Sequence, residues 1–438
     1  MYKNENMMDI QRDKLQDLIN WKSKTNRKPL ILNGARQVGK SWLVTKLGEI
    51  AFSGNIVTIN FEKRREVHQV FRKNLVPERI VLELGLILDA NIKSGKTLLF
   101  FDEIQECPDA LMSLRYFYEE MPDLHLIAAG SLLDFSFSDY PYPVGRVETL
   151  DISPISFFEF LKAKNLNNSA YSLLADRKFD IPDSLIDKLE GEYLEYIVVG
   201  GMPASVKYYL ETKDFEGVKK IQDDLLYTYE QDFKKYKPQI DEDCLKDVLK
   251  NSIQFIGNQI IYTKLSDRFT GPTIKKAHEL LKTAKLIHSV ENVSVSRLPL
   301  TVSGKRFKTF YLDIGLMVRK NGLEAKNIYL KTDLYATFQG ELAEQFVSQQ
   351  LVSHHGSELY YWAREEGSAS AEVDFVIAKA GEIIPIEVKA GKNTKIKSLL
   401  NLLESYPNIK RAVVYSSKTQ KSDGKIEYIP IYLAGLRV

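Results

Sequence analysis

Short apolar runs alternate with segments of helical periodicity along the first 160 residues. The runs begin near Leu30, Asn55, Thr97, Leu124 and Val147, and between most of them apolar residues recur every three or four positions. Strands that alternate with helices in this way are typical of a parallel sheet with helices on both faces. The pattern predicts an α/β domain over residues 1–160.

Beyond this domain the pattern changes three times. Residues 161–241 are dominated by helical periods, broken once by a Gly-Gly-Met-Pro turn, and we interpret them as a helical lid segment. Residues 242–325 hold three helical patterns and then two extended runs, which predicts a winged helix. Residues 326–438 begin with an amphipathic helix and continue into an aromatic strand and a pair of acidic strands, which predicts a second α/β domain.

Composition limits the class of protein. A chain of 438 residues is too long for one core, and 44% hydrophobic with 27% charged residues is ordinary for a globular protein. The net charge of +2 does not indicate nucleic acid, so a basic surface would have to be local. The two cysteines, Cys107 and Cys244, are too far apart for a disulfide framework. Without a signal segment or a run of bilayer length, we expect a cytoplasmic protein that does not bind membranes.

A glycine-rich loop follows the first apolar run. Gly34, Gly39, Lys40 and Ser41 fit the spacing G-x-x-x-x-G-K-[ST], in which backbone N–H groups surround phosphates at a helix N-terminus. In such a loop, Lys40 reaches the β and γ phosphates and Ser41 ligates Mg²⁺. The predicted nucleotide-binding residues are therefore the loop and the start of its helix: Gly34, Ala35, Arg36, Gln37, Val38, Gly39, Lys40, Ser41 and Trp42.

A second acidic element belongs to the same chemistry. The apolar run Thr97–Phe101 ends in Asp102 and Glu103, where a P-loop enzyme places acids beside its metal. We expect Asp102 to hold Mg²⁺ opposite Ser41, and Glu103 to orient and deprotonate the attacking water. The two motifs together predict ATP or GTP binding, with ATP and Mg²⁺ as the expected cofactors.

Two further residues are candidates for the same site. Ser131 follows the run Leu124–Ala129 and would lie near the γ-phosphate if that strand lies between the loop strand and the acidic strand. An ordinary strand-end turn explains Ser131 equally well. Arg146 is a candidate arginine finger, in its own site or in a neighbour's, whereas a surface arginine is the commoner explanation.

These motifs together resemble a prokaryotic family of AAA-type ATPases. The resemblance rests on the glycine loop, on Asp-Glu-Ile-Gln from Asp102, on Gly130-Ser131, on Gly145-Arg146 and on the stretch Pro-Ile-Ser-Phe-Phe-Glu-Phe from Pro154. It implies an ATPase with Lys40, Ser41, Asp102 and Glu103 at its centre. It also implies an uncharacterised C-terminal domain similar to the restriction-endonuclease-like fold.

The predicted winged helix carries basic residues. Lys275, Lys276 and Lys282 lie on the outer face of its second helix, with Arg268 upstream, and they are candidates for contact with DNA phosphates. Winged helices also pack against proteins, and an exposed face rich in lysine is normal. DNA therefore remains one of two possible partners here.

The acidic strands of the last domain suggest a second metal site. A hairpin brings Asp374 close to Glu387, and strand alternation puts Lys389 on the same face as Glu387. These residues are similar to the D...E-x-K signature of restriction-like nucleases, with Glu344 as the best match for the helix glutamate. Mg²⁺ on the carboxylates would suit phosphodiester hydrolysis. A charged solvent face or a lapsed nuclease fold explains the same residues, and Pro385 fits only a strand start or an edge.

The leading hypothesis is an ATPase whose nucleotide state is coupled to nucleic-acid binding or processing by the winged helix and the nuclease-like domain. A second is a regulatory switch that binds a protein partner or a second copy of itself, with an inactive nuclease-like domain. The third is a DNA-binding module with negligible ATP turnover.

Overall fold

The computed structural model describes residues 10–130, 143, 145–165, 168–176, 181–236, 240–356, 358–364, 371–390, 395–416 and 421–438. The chain divides into two compact units, one formed by Gln11–Ser153 and the other containing Pro154–Val438.

The first unit is built on a five-stranded parallel sheet in the order β2-β3-β4-β1-β5. Its strands are β1 (Leu30–Asn33), β2 (Ile56–Asn60), β3 (Leu98–Asp102), β4 (His125–Ala129) and β5 (Glu148–Asp151). Its helices are α1 (Lys14–Lys22), α2 (Lys40–Ala51), α3 (His68–Lys73), α4 (Pro77–Leu88) and α5 (Pro108–Glu120). The predicted parallel α/β architecture of this unit is confirmed.

The strand order decides which loops meet. β4 pairs with β1 on one side and with β3 on the other, so it lies between the loop strand and the acidic strand. Leu32 and Asp102 both pair with Ala129. Since parallel strands end at the same edge, the glycine loop after β1 and the acids after β3 lie side by side.

Aromatic packing supports the acidic strand. The ring of Phe101 contacts Phe61, Phe71 and Phe117 edge to face, with centroids 5.4–6.1 Å apart. All four rings are fully buried. Edge-to-face contacts add stabilisation to the burial of the rings, so the end of β3 is held in place by the core.

The second unit combines many helices with an eight-stranded mixed sheet in the order β12-β13-β11-β10-β9-β8-β6-β7. The helices are α6 (Phe157–Ala163), α7 (Asn168–Ala175), α8 (Asp183–Val199), α9 (Pro203–Thr212), α10 (Phe215–Asp232), α11 (Glu242–Gln254), α12 (Gly271–Thr283), α13 (Ile314–Lys320), α14 (Ala325–Tyr329), α15 (Asp333–His355) and α16 (Lys397–Ser405). The strands are β6 (Ile287–Ser294), β7 (Thr301–Tyr311), β8 (Tyr360–Ala363), β9 (Glu372–Lys379), β10 (Glu382–Lys389), β11 (Ala412–Ser416), β12 (Lys421–Asp423) and β13 (Ile426–Pro430).

The region predicted as a winged helix contains α11 and α12, then a hairpin, and then the short helix α13. α11 and α12 are separated by a single 3-10 turn at Tyr262–Lys264 and by bends, where the sequence predicts a further helical segment. β6 and β7 form the hairpin, and β6 also pairs in parallel with β8 through Glu291 and Asn292. The hairpin and the C-terminal strands therefore share one sheet, so the boundary predicted between residues 325 and 326 does not separate two sheets.

Pro385 lies inside β10, in the middle of the sheet, and not at the strand start or edge that the sequence predicts. It pairs with Val376 of β9, whereas pairing with β11 begins only at Ile386. At Pro385 the strand therefore has a partner on one side only. The missing N–H leaves no sheet hydrogen bond unmade if it faces the open side.

The Gly-Gly-Met-Pro turn before α9 is a close approach of two backbones. The N–H of Gly201 donates to Asp313 Oδ2 at 2.6 Å, and its carbonyl accepts from the N–H of Ile155 at 2.7 Å. A Cβ on Gly201 would lie 2.2 Å from the Ile155 carbonyl oxygen. Glycine is required here because no side chain fits between the two segments.

No helix in the described part of the chain is both long and apolar enough to cross a membrane.

We expect Gly201→Ala to lower the free energy of unfolding by about 1–3 kcal/mol, because the added methyl group overpacks a closed contact. Gly191→Ala is the matched control, since a Cβ on this residue of α8 would meet nothing within 4 Å. The control should be neutral or more stable by up to about 1 kcal/mol. Urea unfolding followed by circular dichroism measures both, and equal stability of the two variants would contradict the close approach.

Candidate functional site: the glycine loop and the carboxylate cluster

The glycine loop has the backbone geometry that its spacing predicts. Gly39 has φ 98° and immediately precedes α2, so its conformation favours glycine. Gly34 has φ 153°, and a Cβ there would lie 2.4 Å from the Ile152 carbonyl oxygen. Gly34 therefore lets the loop lie against the segment that follows β5, and Gly39 lets the chain turn into α2. The first N–H groups of α2, as at every helix N-terminus, have no intrahelical partners.

Lys40 is the charged centre of the loop. Its side chain is buried, and its Nζ donates to the carbonyl oxygens of Gly34 at 2.7 Å and Ala35 at 2.9 Å. Burial lowers the pKa of Lys40 to about 8, although Glu103 and Asp102 act to raise it. A buried ammonium that donates to two loop carbonyls is suited to donate to phosphate oxygens in their place.

Ser41 and Asp102 meet at the same edge. Ser41 Oγ lies 3.3 Å from both carboxylate oxygens of Asp102, and Asn60 Nδ2 donates to Asp102 Oδ2 at 3.2 Å. Burial raises the pKa of Asp102, and the neighbouring Glu103 raises it further. A hydroxyl and a carboxylate oxygen side by side are the oxygen ligands that Mg²⁺ prefers, so these residues fit the predicted metal position.

Glu103 adopts a left-handed conformation with φ 51°, which is uncommon for glutamate. Its Oε2 accepts a hydrogen bond from Gln105 Nε2 at 2.6 Å. The side chain is thereby held by its own turn. This placement beside Asp102 suits a group that positions water.

The remaining loop residues divide by exposure. Ala35 and Val38 are fully buried, whereas the Trp42 side chain is 38% exposed on α2. Gln37 has φ 63°, and the positive charge of Arg36 acts to lower the pKa of Lys40. Ala35 and Val38 therefore fix the loop to the core.

Arg12 is a positioning residue that sequence reasoning missed. It is buried, and its Nη1 donates to the Val38 carbonyl at 2.9 Å while Nη2 donates to the Ser153 carbonyl at 2.7 Å. One guanidinium thus ties the glycine loop to the segment after β5. No sequence signal marks Arg12, because its partners are 26 and 141 residues away.

Arg146 is not brought to the loop by the described structure. Arg146 Nε donates to Glu119 Oε1 at 2.8 Å, and Arg146 precedes β5, at the opposite sheet edge from the loop. A role for Arg146 in its own subunit is therefore not supported, and a role in a neighbour's site stays a prediction. Ser131 lies outside the described residues.

The C-terminal acidic residues converge. Phe375 pairs with Ile386, so Asp374 lies opposite Glu387, and Asp374 Oδ2 accepts from the Val388 N–H at 2.7 Å. Lys389 Nζ lies 2.7 Å from Glu387 Oε1. Burial raises the pKa of Glu387 to about 7, and Asp374 adds to this effect.

A lysine from the hairpin enters the same cluster. Lys308 of β7 is fully buried, and its Nζ lies 3.3 Å from Glu344 Oε2 and 3.6 Å from Asp374 Oδ1, and also contacts Glu372 Oε1. Burial raises the pKa of Glu344 to about 8. Burial also acts to lower the pKa of Lys308, but the three carboxylates raise it above its ordinary value.

Metal binding by these carboxylates remains a prediction. Within the described ranges, no group of three or more His, Cys, Asp or Glu side chains is arranged to hold a metal ion. Sequence reasoning found Glu344, Asp374, Glu387 and Lys389 but missed Lys308 and Glu372. Lys308 reaches these carboxylates only because the β6–β7 hairpin and the C-terminal strands share a sheet.

Comparisons with known protein families find a match for the segment that contains the glycine loop. A family model described as an AAA domain matches residues 26–161, and two models described as domains of unknown function match residues 190–327 and 339–434. The matched segment contains the five parallel strands, the glycine loop and the acidic pair. Residues 26–161 are therefore similar to an AAA domain, and this segment is called the AAA domain from here on.

Three solved structures show only limited overall likeness to this chain. PCH-2 of C. elegans is 14% identical with a TM-score of 0.21, over 45% of this chain and 49% of PCH-2, so about half of PCH-2 is covered. A DNA replication initiation factor is 16% identical, with a TM-score of 0.22 over 62% of this chain and 75% of the factor. AMPPCP-bound DnaA of Aquifex aeolicus is 14% identical, with a TM-score of 0.26 over 62% of this chain and 86% of DnaA. No curated protein matches the chain.

The lowered pKa of Lys40 predicts a pH-dependent affinity of the AAA domain for ATP. The ammonium charge attracts phosphate, and in the free protein this charge is lost as pH rises through about 8. The dissociation constant for ATP should therefore rise roughly tenfold between about pH 7 and about pH 9. Calorimetric titrations at constant ionic strength measure it.

Lys40→Arg is the matched control, because a guanidinium stays charged throughout this range. Its affinity for ATP should be weaker but independent of pH. The same pH dependence in both proteins would assign it to another group.

Proposed function

We propose that the AAA domain binds ATP with Mg²⁺ and hydrolyses it. The observation that carries the proposal is the convergence of buried Lys40, the Ser41–Asp102 contact and Glu103 at one edge of a parallel sheet. ATP hydrolysis needs phosphate-binding donors, a metal position and a group that activates water, and each of these has a candidate residue here.

Each residue has a defined part in this proposal. The amides of the glycine loop and the ammonium of Lys40 bind the phosphates, since phosphate oxygens replace the Gly34 and Ala35 carbonyls as partners of Nζ. Ser41 and Asp102 would hold Mg²⁺, which when bound neutralises charge on the phosphates. Glu103 accepts the proton of the attacking water, provided that its carboxylate leaves Gln105.

Two substitutions separate ATP binding from ATP hydrolysis. Lys40→Ala is expected to weaken ATP binding by roughly tenfold to a hundredfold, because it removes charge-assisted hydrogen bonds. Glu103→Gln is expected to keep binding and to lower the rate of phosphate release by roughly a hundredfold or more. Fluorescent-nucleotide titration measures the first effect, and a phosphate-release assay measures the second.

Glu106→Gln is the matched control, since Glu106 lies three positions further along in the same 3-10 turn. It should retain both binding and turnover. If neither Lys40→Ala nor Glu103→Gln differed from the unaltered protein, the proposed ATPase site would be excluded.

We further infer that nucleotide state is coupled to nucleic-acid binding by the region of α11, α12 and the hairpin. A groove of about 550 Å³ lies between the N-terminus of α12 and the hairpin. Lys275, Lys305 and Arg306 line it and are exposed. Basic side chains along a groove suit phosphate contacts, which supports this proposal.

Not all of the predicted basic residues take part. Arg268 donates to both carboxylate oxygens of Asp247, at 2.8 and 2.6 Å, and Lys282 lies 3.1 Å from Glu279. Exposed apolar side chains, Ile261 and Val302, also line the groove. These apolar side chains favour the alternative, a switch that binds a protein partner, so both occupants must be tested.

Lys305→Met/Arg306→Met tests the nucleic-acid proposal. Each lost phosphate contact should lower the slope of log affinity against log salt by about 1, so duplex DNA should bind more weakly and with a smaller slope. Fluorescence anisotropy across a salt series measures both quantities. Lys93→Met/Lys96→Met removes the same charge from the AAA domain and should change neither. An unchanged slope in the first variant would favour a protein partner in the groove.

A further inference from the structure

The groove between the start of α12 and the β6–β7 hairpin has an aromatic wall. Tyr262 lines the groove, and its ring packs against buried Phe307, with centroids 4.6 Å apart, and nearly perpendicular to buried His278 at 5.4 Å. Backbone hydrogen bonds in both directions between Ile260 and Phe307, at 2.9 and 3.0 Å, tie the segment before Tyr262 to β7. The ring is therefore held in place before any ligand binds.

One face of the Tyr262 ring is turned towards the exposed side of the groove. The Nζ of Lys275 lies over the ring, 5.9 Å from its centroid, and the Lys275 side chain is exposed. Cation–π contacts extend to about 6 Å, so this one is at the outer limit. The ammonium is therefore held weakly, and a flat aromatic group can take its place on the ring.

The charges around this ring favour an anionic ligand. Lys275, Lys305 and Arg306 line the groove and are exposed, whereas the carboxylate in the lining is that of Glu291. Within the described residues, none of the three cations forms an ion pair. Their positive charge is therefore available to phosphate groups.

An aromatic wall beside unpaired cations suits unpaired nucleotides better than a duplex. In a duplex each base face is covered by the next base, so the Tyr262 ring has no base face to contact. Sites for single strands combine a basic groove with aromatic side chains on which bases stack. The groove volume of about 550 Å³ is within the range of clefts that hold small ligands, and exposed Ile261 and Val302 suit the apolar faces of bases and sugars. The groove thus fits the base and the phosphates of an unpaired segment.

We propose that the groove binds single-stranded nucleic acid, with an unpaired base stacked on Tyr262 and the neighbouring phosphates held by Lys275, Lys305 and Arg306. This inference rests on the proposed nucleic-acid function and names its substrate class. The base is recognised by its face and not by its edges, so binding depends little on sequence.

Fluorescence anisotropy with the full chain compares an oligothymidine strand, an oligouridine strand and a DNA duplex of equal length. Tyr262→Leu removes the ring and keeps an apolar side chain. It is expected to weaken binding of the single strands by roughly fivefold to a hundredfold and to leave the affinity for the duplex unchanged. Tyr262→Phe keeps the ring and should bind single strands as the unaltered protein does. The two single strands show whether the sugar is deoxyribose or ribose.

Tyr227→Leu is the matched control, since Tyr227 is 64% exposed on α10 and is not part of the groove lining. It should change the affinity for neither single strands nor duplex. A strand of abasic sites keeps the phosphates and lacks the bases. The unaltered protein should bind this strand more weakly than oligothymidine, by the factor that Tyr262→Leu loses, and Tyr262→Leu should bind both strands equally.

Tyr262 packs against buried rings, so folding of its variants is checked by circular dichroism. Should Tyr262→Leu fail to fold, photo-cross-linking of the unaltered protein to an iodouracil strand takes its place. A cross-link on Tyr262 then supports the proposal, and the absence of one there overturns it.

Three results overturn the proposal: equal affinity of the unaltered protein for intact and abasic strands, no loss of single-strand binding in folded Tyr262→Leu, or an equal loss for single strands and duplex. If Lys305→Met/Arg306→Met still lowers the salt slope for both forms, the proposed nucleic-acid function stands and only the stacked base is excluded. If the unaltered protein binds neither form, both proposals fail.

Discussion

A buried ammonium group is stable only where oxygen atoms surround it, and both charged centres of this protein depend on this constraint. Lys40 is held by two backbone carbonyls, which are neutral, and burial lowers its pKa to about 8. Lys308 is held by three carboxylates, which raise its pKa above the ordinary value. In the proposed function the charge of the first lysine is compensated by an incoming phosphate, whereas the charge of the second is already compensated by its carboxylates. The same side chain is thus prepared for a ligand in one unit and is internally paired in the other.

The AAA domain was the more predictable part because its chemistry is local in sequence. Gly34 to Ser41 lie within one loop and its helix, and Asp102 with Glu103 ends one apolar run. The parallel register then brings the two motifs together, as the alternation of strands and helices predicts. Even so, the sequence did not reveal Arg12, whose contacts span 26 and 141 residues. Motif spacing identifies residues that act together with their neighbours in sequence. It does not identify residues whose contacts form only when distant segments of the chain fold together.

The second unit was predicted less completely for the same physical reason. The Asp374–Glu387 contact follows from hairpin register, so the sequence was sufficient for it. Glu372 lies on the same strand as Asp374, two residues before it, whereas Lys308 joins the cluster only because β6 pairs with β8, a connection of two residue pairs between distant segments. Ser156 and Glu159 form a capping box that begins α6, and this Ser-x-x-Glu spacing is a local signal that predicts the start of a helix. The predicted position of Pro385, at a strand start or an edge, was wrong because the sequence of a strand does not show where its neighbour, here β11, begins to pair.

The strand direction that assembles the nucleotide site also limits what one chain supplies to it. Groups after β1 and β3 reach the loop, whereas a residue that precedes β5, such as Arg146, lies at the opposite edge of the sheet. Arg146 is paired there with Glu119. A cation acting on phosphate from that position would need either to leave Glu119 and cross the sheet or to act on another copy of the chain. Action on another copy of the chain requires less structural change, because every strand stays in register. The half-exposed Arg146 side chain would only have to exchange the Glu119 carboxylate for phosphate oxygens.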